Sequence, residues 1–270
     1  MRFVSFDQGA GPRAGVLRDE RVFDLGGETL LDLIRGGRLG DAEPAGDGVD
    51  LDGVQLQPPI DRPGKLILIG LNYLEHAREA GLEAPEMPTI FAKWANALRP
   101  DGATVQLPPW TEKVDYECEV AFVIGRECKD VPEDGALDVI AGYTLLNDLS
   151  ARDYQFKTPQ WMPGKVFDGA APCGPALVTP DEAGPPDAIE IGTRLNGEVM
   201  QSSNTADLIH SIPVLVEYLT RLMTLEPGDI VATGTPSGVG SMRDPRVWLK
   251  PGDEVEVFSE QLGVLRTEIA

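Results

Sequence analysis

The sequence predicts an α+β protein that is mainly β, with many short strands and few helices. Short apolar runs bounded by Gly and Pro recur along the chain, a pattern typical of strands joined by turns. Only residues 211–223 combine helical length with an apolar face. Strands and long helices do not alternate regularly, which argues against a parallel α/β fold.

The first 62 residues predict a small N-terminal domain, with residues 63–270 as the main domain. Residues 2–6 and 13–24 predict short strands, and residues 30–34 predict one brief helix. Residues 41–52 are rich in Gly, Asp and Pro and predict a loop, and further prolines mark the boundary. Since so short a piece buries little core alone, we expect it to pack on the rest of the chain.

From Lys65 onward the pattern changes to buried strands. Residues 65–70 predict the first of them, followed by a short helix over 72–80 with Asn72 as its N-cap. The sequence Leu195-Asn196-Gly197-Glu198 is a hairpin-turn signal. The one long helix is predicted at 211–223. Further strands are predicted at 104–107, 115–124, 139–147, 176–179, 189–195, 230–233 and 254–258.

Charge and composition narrow the class of function. The chain has 270 residues and a formal net charge of -21, which disfavours nucleic acid and anionic membranes as partners. No apolar run is long enough to predict a membrane span, and the N-terminus lacks the apolar core of a signal peptide. The three cysteines do not suggest a disulfide framework or a zinc site. We therefore expect a cytoplasmic protein.

Three acidic residues, Asp115, Glu117 and Glu119, are spaced two apart. On a strand, this spacing would place all three carboxylates on one face. Carboxylates so close together should force one of them to protonate, unless a hard cation such as Mg2+ binds between them. The alternative is a solvated edge strand whose acids face water.

Asp148 and Lys165 could join such a site. Asp148 directly follows an apolar run, where an ionised carboxylate needs a partner, although an Asx-turn or a helix cap would also explain it. Lys165 lies in a loop flanked by Gly and Pro, where it could bind a substrate carboxylate or offset the acids. An ordinary exposed lysine is the alternative.

His76 and Glu79 lie three residues apart on the predicted short helix, and so on neighbouring positions of its surface. A carboxylate beside an imidazole fixes its tautomer and suits a general base for water, although a plain surface pair is the alternative. Residues 234–240 form a Gly-rich loop after a strand, without the P-loop signature. This loop could present backbone N–H groups and the Thr235 hydroxyl to an anion.

Several aromatic side chains flank these motifs and could shape a pocket, although core packing is the commoner role of large aromatics. The motifs of serine hydrolases, of zinc proteases and of thiol-redox proteins do not occur in the sequence. The flanking aromatics are Trp94, Trp110, Tyr154, Phe156 and Trp161.

Taken in order, the motifs from residue 65 to the C-terminus resemble the fumarylacetoacetate hydrolase superfamily. They are most similar to its compact bacterial members, in the branch of the acylpyruvases and 2-hydroxyhepta-2,4-diene-1,7-dioate isomerases. The N-terminal segment resembles the small accessory domain of those members. The resemblance implies a roll of mixed β-sheets, a homodimer and one Mg2+ or Mn2+ per active site. It depends on GLNYLEHAREAG, PTIFAKWANAL, VDYECEVAFVIG, NDLSARDYQ, GKVFDGAAPCGP, RLNGEVMQSSNTADLIHS and VATGTPSGVG.

The resemblance also implies a role for each candidate residue. Asp115 begins the acidic motif but is kept as a supporting residue. The water-activating pair is expected on a segment that closes as a lid. The implied metal ligands are Glu117, Glu119 and Asp148, the implied catalytic residues are His76, Glu79 and Lys165, and the implied substrate-binding residues are Arg152, Gln155 and Thr235.

This chemistry predicts a metal-dependent hydrolase that cleaves the C–C bond of a 2,4-dioxo acid, of acylpyruvate or fumarylpyruvate type. The cation would act as a Lewis acid on the 2-oxo acid end and stabilise a pyruvate enolate. The His76–Glu79 pair favours hydrolysis, since decarboxylation needs mainly metal and lysine. Oxaloacetate decarboxylation and hydroxymuconate-type isomerisation or hydration are the alternatives at the same site. A non-enzymatic module that binds a cation or a 2-oxo acid is less favoured.

Overall fold

The computed structural model describes residues 1–41 and 43–270. Five α-helices within these residues are α1 (Leu30–Arg35), α2 (Leu74–Glu79), α3 (Arg152–Gln155), α4 (Pro180–Ala183) and α5 (Ile212–Leu222). The strands are β1 (Arg2–Asp7), β2 (Arg13–Arg18), β3 (Arg21–Asp24), β4 (Ala45–Asp50), β5 (Gln55–Gln57), β6 (Leu66–Gly70), β7 (Thr89–Lys93), β8 (Leu98–Arg99), β9 (Ala103–Val105), β10 (Val114–Asp115), β11 (Cys118–Ile124), β12 (Ile140–Asn147), β13 (Ser150–Ala151), β14 (Ala171–Val178), β15 (Glu190–Leu195), β16 (Glu198–Asn204), β17 (Ile230–Ala232), β18 (Glu254–Ser259) and β19 (Gly263–Ile269).

These strands form one large sheet, one five-stranded sheet and a short two-stranded ribbon. The large sheet runs in the order β4-β3-β2-β1-β14-β12-β11-β17-β6-β7, and the smaller sheet in the order β16-β15-β18-β19-β9. Most neighbours are antiparallel, but β17 pairs with β6, β14 with β8 and β19 with β9 in parallel. The predicted mainly β, mixed-sheet class is therefore confirmed.

Strand β11 lies at the centre of the large sheet and is buried on both faces. Ala121 and Val123 pack in one apolar cluster, whereas Val120 and Phe122 pack in a second cluster on the opposite face. This two-sided burial explains why the strand is continuously apolar from Val120 to Ile124 rather than alternating. Helix α5 covers the second cluster, with Leu215 and other apolar residues of one face buried. None of the helices within the described ranges is long and apolar enough to cross a membrane.

The N-terminal strands extend the large sheet. Strand β1 pairs antiparallel with β14, where Phe3 lies opposite Leu177, and β5 pairs with the same β1. Both Phe3 and Leu177 are fully buried. The N-terminal segment therefore shares its core with the rest of the chain, as expected for so short a piece. The proposed division at residue 62 stays a prediction.

One predicted loop contains regular structure. The segment 41–52, predicted to be a loop, contains strand β4 and a short 3-10 helix at Leu51–Gly53, although residue 42 lies outside the described residues. Strand β4 forms because β3 offers a free edge for pairing, a tertiary effect that local composition does not reveal. Strands β7 and β19, which the sequence did not predict, likewise form beside neighbouring strands.

The short helix also begins differently from the prediction. Helix α2 starts at Leu74 after Tyr73, so Asn72 is not its N-cap. The Asn72 side chain instead donates to the backbone oxygens of Thr233 and His210, and accepts from the His210 N–H. These long-range hydrogen bonds tie the helix entrance to the sheet, and they outcompete a local cap.

The predicted hairpin turn is confirmed. Leu195 pairs with Glu198, and the two residues between them, Asn196 and Gly197, have φ angles of 51° and 83°. Positive φ at both central residues is what a type I′ turn requires, which explains the Asn-Gly pair.

Candidate active site

A cavity of about 310 Å³ contains most of the residues that the sequence analysis selected. Strands β6, β7 and β11, helix α3 and the loops at 234–248 contribute its walls. The selected residues that line it are His76, Glu117, Glu119, Arg152, Gln155, Phe156, Trp161, Lys165 and Thr235.

The carboxylates of Glu117, Glu119 and Asp148 form a compact acidic cluster. They are buried, and each offers an oxygen within 4.8 Å of the other two. Their meeting follows from strand pairing, because β11 and β12 are antiparallel and Cys118 lies opposite Asn147. The Asp148 N–H donates to the Glu117 carbonyl oxygen at 2.8 Å. Acidic residues about 30 positions apart in the sequence, Glu117 and Glu119 on one side and Asp148 on the other, are thus brought into one cluster.

The predicted continuous strand over 115–124 is interrupted within the acidic motif. Asp115 belongs to β10, and β11 starts only at Cys118. The chain leaves the ladder because the Glu117 N–H donates to the Asn147 side chain instead of a backbone carbonyl. The expectation that Asp115, Glu117 and Glu119 line one face of one strand is therefore wrong.

Asp115 lies beside the cluster in a different role. Its carboxylate accepts from the N–H groups of Gly240 and Ser241 at 2.7 and 3.0 Å. It also accepts from Arg152 Nε at 2.8 Å. With its oxygens held in this way, Asp115 supports the loop and Arg152, which fits its expected supporting role.

The pKa values of two carboxyl groups in the acidic cluster are shifted in opposite directions. Burial alone would raise the pKa of Glu117, but the charges of Arg152 and Lys165 outweigh it and hold that pKa below its usual range. Burial, reinforced by the charges of Asp148 and Glu117, holds the pKa of Glu119 well above its usual range. Glu119 is therefore the carboxylate that most lacks a positive partner.

Two buried lysines contact the Asp148 carboxylate, one at each of its oxygens. Lys165 Nζ lies 2.6 Å from Asp148 Oδ2 and 2.7 Å from Glu117 Oε2. Lys93 Nζ lies 2.6 Å from Asp148 Oδ1, and burial lowers its pKa to about 8. Sequence reasoning selected Lys165 but missed Lys93. A lysine at the end of the apolar run Thr-Ile-Phe-Ala-Lys was the available signal.

The cluster fits a divalent cation such as Mg2+ or Mn2+ by the chemistry of its donors. All three side chains offer carboxylate oxygens, the ligands that hard cations prefer. Glu119 Oε2 accepts from the Gly234 N–H at 2.9 Å, which orients this carboxylate. Within the described residues, no Lys or Arg nitrogen lies within 4.0 Å of the Glu119 carboxylate, so a cation would supply the positive partner that it lacks.

His76 and Glu79 form a pair at the edge of the cavity. His76 Nδ1 lies 3.3 Å from Glu79 Oε2, and His76 is mostly buried. The Glu79 carboxylate also accepts from the Gly238 N–H, at 3.1 and 3.2 Å to its two oxygens. This arrangement favours the tautomer with the proton on Nδ1, which leaves Nε2 as the basic nitrogen.

Arg152 and Gln155 lie together on helix α3. Arg152 Nη2 contacts Glu117 Oε1 at 2.6 Å, and its Nη1 donates to Gln155 Oε1 at 2.9 Å. Because the Gln155 oxygen is engaged by Arg152, its amide nitrogen remains the group that can donate to a ligand in the cavity.

Thr235 is oriented by Gln201, a residue of the smaller sheet. Gln201 Oε1 accepts from the Cys118 N–H and from the Thr193 hydroxyl, at 3.1 and 2.8 Å. Its nitrogen must then point the other way, where it donates to Thr235 Oγ1 and to the Pro236 oxygen, both at 2.8 Å. With a lone pair engaged, the Thr235 hydroxyl is free to donate its proton into the cavity. Sequence reasoning missed Gln201 because Cys118 and Thr235 lie far from it in sequence, and only Thr193 is its neighbour across the predicted hairpin.

The flanking aromatics divide between two environments. Trp161 and Phe156 line the cavity, together with Trp248, which sequence reasoning did not select. Trp110 and Tyr154 instead pack on each other, with ring centroids 4.3 Å apart, outside the cavity lining. Trp94 is 54% exposed. Some of the flanking aromatics therefore line the cavity, whereas others pack elsewhere or are exposed.

Two family models match the chain. The model described as "Fumarylacetoacetate (FAA) hydrolase C-terminal" matches residues 65–270, and the model described as "Rv2993c-like, N-terminal" matches residues 1–59. The first match contains every selected site residue.

Relatives with different reactions share this similarity. A mitochondrial oxaloacetate tautomerase from Bos taurus is 44% identical over 213 residues, which cover 78% of this chain and 68% of that protein. The structure of a 5-carboxymethyl-2-hydroxymuconate delta-isomerase from Mycobacterium smegmatis is 35% identical, with a TM-score of 0.85 and coverage of 100% and 99% of the two chains. A fumarylacetoacetate hydrolase from Exiguobacterium antarcticum is 32% identical, with a TM-score of 0.88 and the same coverage.

Proposed function

Because this chain belongs to the fumarylacetoacetate hydrolase family of enzymes, we propose that it is a divalent-metal-dependent hydrolase of 2,4-dioxo acids. It cleaves the C–C bond of an acylpyruvate or fumarylpyruvate. The observation that carries the proposal is the His76–Glu79 pair at the cavity that also contains the acidic cluster. Water activation next to an electrophilic centre is what this hydrolysis requires.

The 2-oxo acid end of the substrate binds near the acidic cluster. A divalent cation held by Glu117, Glu119 and Asp148 would supply Lewis-acid stabilisation for negative charge on the 2-oxo oxygen. The Thr235 hydroxyl and the Gln155 amide donate hydrogen bonds to the substrate carboxylate and carbonyl oxygens. Donors fixed before binding cost little reorganisation during the reaction.

Proton transfer is the task of the His76–Glu79 pair. His76 Nε2 removes a proton from water as the water oxygen attacks the distal carbonyl, and the Glu79 carboxylate stabilises the resulting imidazolium. The C–C bond then breaks, and its electron pair stays on the pyruvate fragment as the enolate. A proton from His76 restores pyruvate, so one water yields pyruvate and one carboxylic acid.

Keto–enol tautomerisation of oxaloacetate is the second candidate function. The 44% identical relative from Bos taurus carries this activity in its name, which favours it for this chain. The same residues would serve, since His76 can move a proton between carbon and oxygen without water attack. Oxaloacetate decarboxylation is a further alternative, since loss of CO2 gives the same pyruvate enolate without attack by water.

One panel of substrates separates these reactions. Steady-state turnover of acetylpyruvate, fumarylpyruvate and oxaloacetate is measured with Mg2+ or Mn2+ and again after EDTA, while ultraviolet absorbance follows the oxaloacetate enol. We expect metal-dependent cleavage of an acylpyruvate, and its loss in Glu119→Gln together with weaker Mn2+ binding. Enol decay without pyruvate formation would move the assignment to tautomerase. Pyruvate and CO2 from oxaloacetate alone would move it to decarboxylase.

We also propose that the protein is a cytoplasmic homodimer. The homodimer is what the resemblance to the family implies, and Trp94, which is 54% exposed and does not line the cavity, is a side chain that a second copy would cover. The three cysteines are free thiols in the described structure, as a reducing compartment would leave them. Light scattering after size-exclusion chromatography tests the dimer, and a monomeric mass would contradict it.

A further inference from the structure

Two cationic side chains at the cavity take no part in the mechanism above. Lys113 and Arg246 line the cavity and are exposed at its rim. Lys165 and Arg152, deeper in the same cavity, each contact carboxylates. Within the described ranges, no carboxylate oxygen lies within 4.0 Å of Lys113 or Arg246. Their charges are therefore available to a ligand.

Backbone hydrogen bonds place both cations on one wall. The Leu249 N–H donates to the Val114 oxygen at 2.9 Å, which holds the segment of Arg246 beside that of Lys113. The Lys113 oxygen in turn accepts from the Arg152 N–H at 2.9 Å. This wall is thus continuous with the helix that carries Arg152.

An unused hydroxyl lies on the same wall. Ser241 lines the cavity, and its Oγ is buried without a hydrogen-bond partner among the described residues. Its N–H is already engaged by Asp115, so the hydroxyl is the remaining donor. A buried polar atom without a partner costs free energy, which a bound ligand would recover.

Besides Glu117 and Glu119, the only acid among the described residues that line the cavity is Asp153, whose carboxylate accepts from the Thr111 hydroxyl at 2.5 Å. Glu117 and Glu119 line the cavity as buried residues and Lys113 and Arg246 line it as exposed ones, so a ligand long enough to reach from the cluster to the rim would meet the cations. The chain carries a net charge of -21, which repels anions in general. Local positive charge at the rim offsets this repulsion for an anionic ligand.

We propose that Lys113, Ser241 and Arg246 form a subsite for a second, distal carboxylate. The substrate class is then a 2-oxo dicarboxylate rather than a 2-oxo monocarboxylate. The inference rests on the proposed function, which places the 2-oxo acid end at the acidic cluster. Arginine binds a carboxylate through a planar fork, and lysine adds a point charge that tolerates different ligand lengths.

Calorimetric binding of uncleavable 2-oxo acids tests the subsite apart from catalysis. With Mg2+ present, 2-oxoglutarate, 2-oxoadipate and 2-oxopimelate are each compared with the 2-oxo acid of equal length that ends in a methyl group. We expect the wild-type protein to bind at least one dicarboxylate about 10-fold to 100-fold more tightly than its counterpart. Equal affinity at every length, or failure of every dicarboxylate to bind, would overturn the proposal.

Variants assign the preference to the named residues. We expect Lys113→Met with Arg246→Met to abolish it while affinity for the methyl-ended acids is unchanged, and Ser241→Ala to reduce it. Lys250→Met removes an exposed charge nearby that does not line the cavity, so this control should keep the preference. A preference that survives the double variant would overturn the assignment. If hydrolysis fails but the preference holds, only the proposed reaction is wrong.

Discussion

Gln201 is the residue whose role depends most on the assembled structure. Its oxygen is fixed by two donors, so its nitrogen orients the Thr235 hydroxyl. The contacts with Cys118 and Thr235 join residues distant in sequence, whereas Thr193 lies opposite Gln201 in the β15–β16 hairpin. The motif that contains Gln201 contributed to the family resemblance, but no local pattern in it reveals these partners.

We expect Gln201→Met to lower kcat/KM about 10-fold, because Thr235 loses the partner that orients its donor. Thr235→Val should cause a similar loss. Since both changes remove one interaction with the substrate, the double variant should be hardly worse than either single variant. Steady-state kinetics of the three variants provide the test. Additive losses would contradict this coupling, and thermal unfolding of the variants would show whether lost stability contributes.

In the proposed mechanism, His76 is the residue that distinguishes hydrolysis from the simpler enolate reactions. We expect His76→Ala to reduce acylpyruvate hydrolysis by about 100-fold or more, the usual contribution of a positioned general base. Any decarboxylation of oxaloacetate should fall much less, because that reaction needs no activated water. Glu79→Gln serves as a matched variant that keeps the imidazole. Equal losses in both reactions would argue against His76 as the base.

Among the elements, β6 and the loop that carries Trp161 are in unusually close contact. A Cβ added at Gly70 would lie 2.2 Å from Trp161 Cζ3. The Trp161 ring also packs edge-on against Phe91, with centroids 5.7 Å apart. The end of the strand therefore fixes the position of a ring that lines the cavity.

Gly70→Ala should displace the Trp161 ring and destabilise the fold by about 1–3 kcal/mol, the usual cost of overpacking. The cost should shrink in a Trp161→Ala background, where the clash is absent. Denaturant unfolding of both single variants and the double variant measures this coupling. Equal destabilisation by Gly70→Ala in both backgrounds would contradict it. Gly70 is not in the left-handed region, so backbone strain is not expected to contribute.

Elements were predictable from sequence where burial or turn chemistry was local. The apolar run of β11 and the Asn-Gly turn of the β15–β16 hairpin were both predicted correctly. The break at Tyr116 and Glu117 was not, because it depends on the Asn147 side chain of the neighbouring strand. The spacing of the acidic residues alone suggested a cation site. That Asp148, and not Asp115, is the third member of the cluster was implied by the resemblance and follows from the pairing of β11 with β12.

For the whole molecule, the N-terminal segment completes the large sheet. We expect deletion of residues 1–62 to expose the edge of β14 and apolar residues such as Leu177, and so to cause aggregation. Size-exclusion chromatography and thermal unfolding of the truncated chain would measure this. A monodisperse truncated protein with cooperative unfolding and full activity would contradict the expectation and favour an independent main domain.

The contact between the two sheets through Gln201 makes the geometry of the site depend on docking of the smaller sheet. A chain whose large sheet has formed, but whose smaller sheet has not docked, lacks the group that orients Thr235. If Thr235 acts as proposed, such an intermediate would be inactive. During refolding, activity should therefore return later than the β-sheet circular dichroism signal. Simultaneous return would show that the site forms without the smaller sheet.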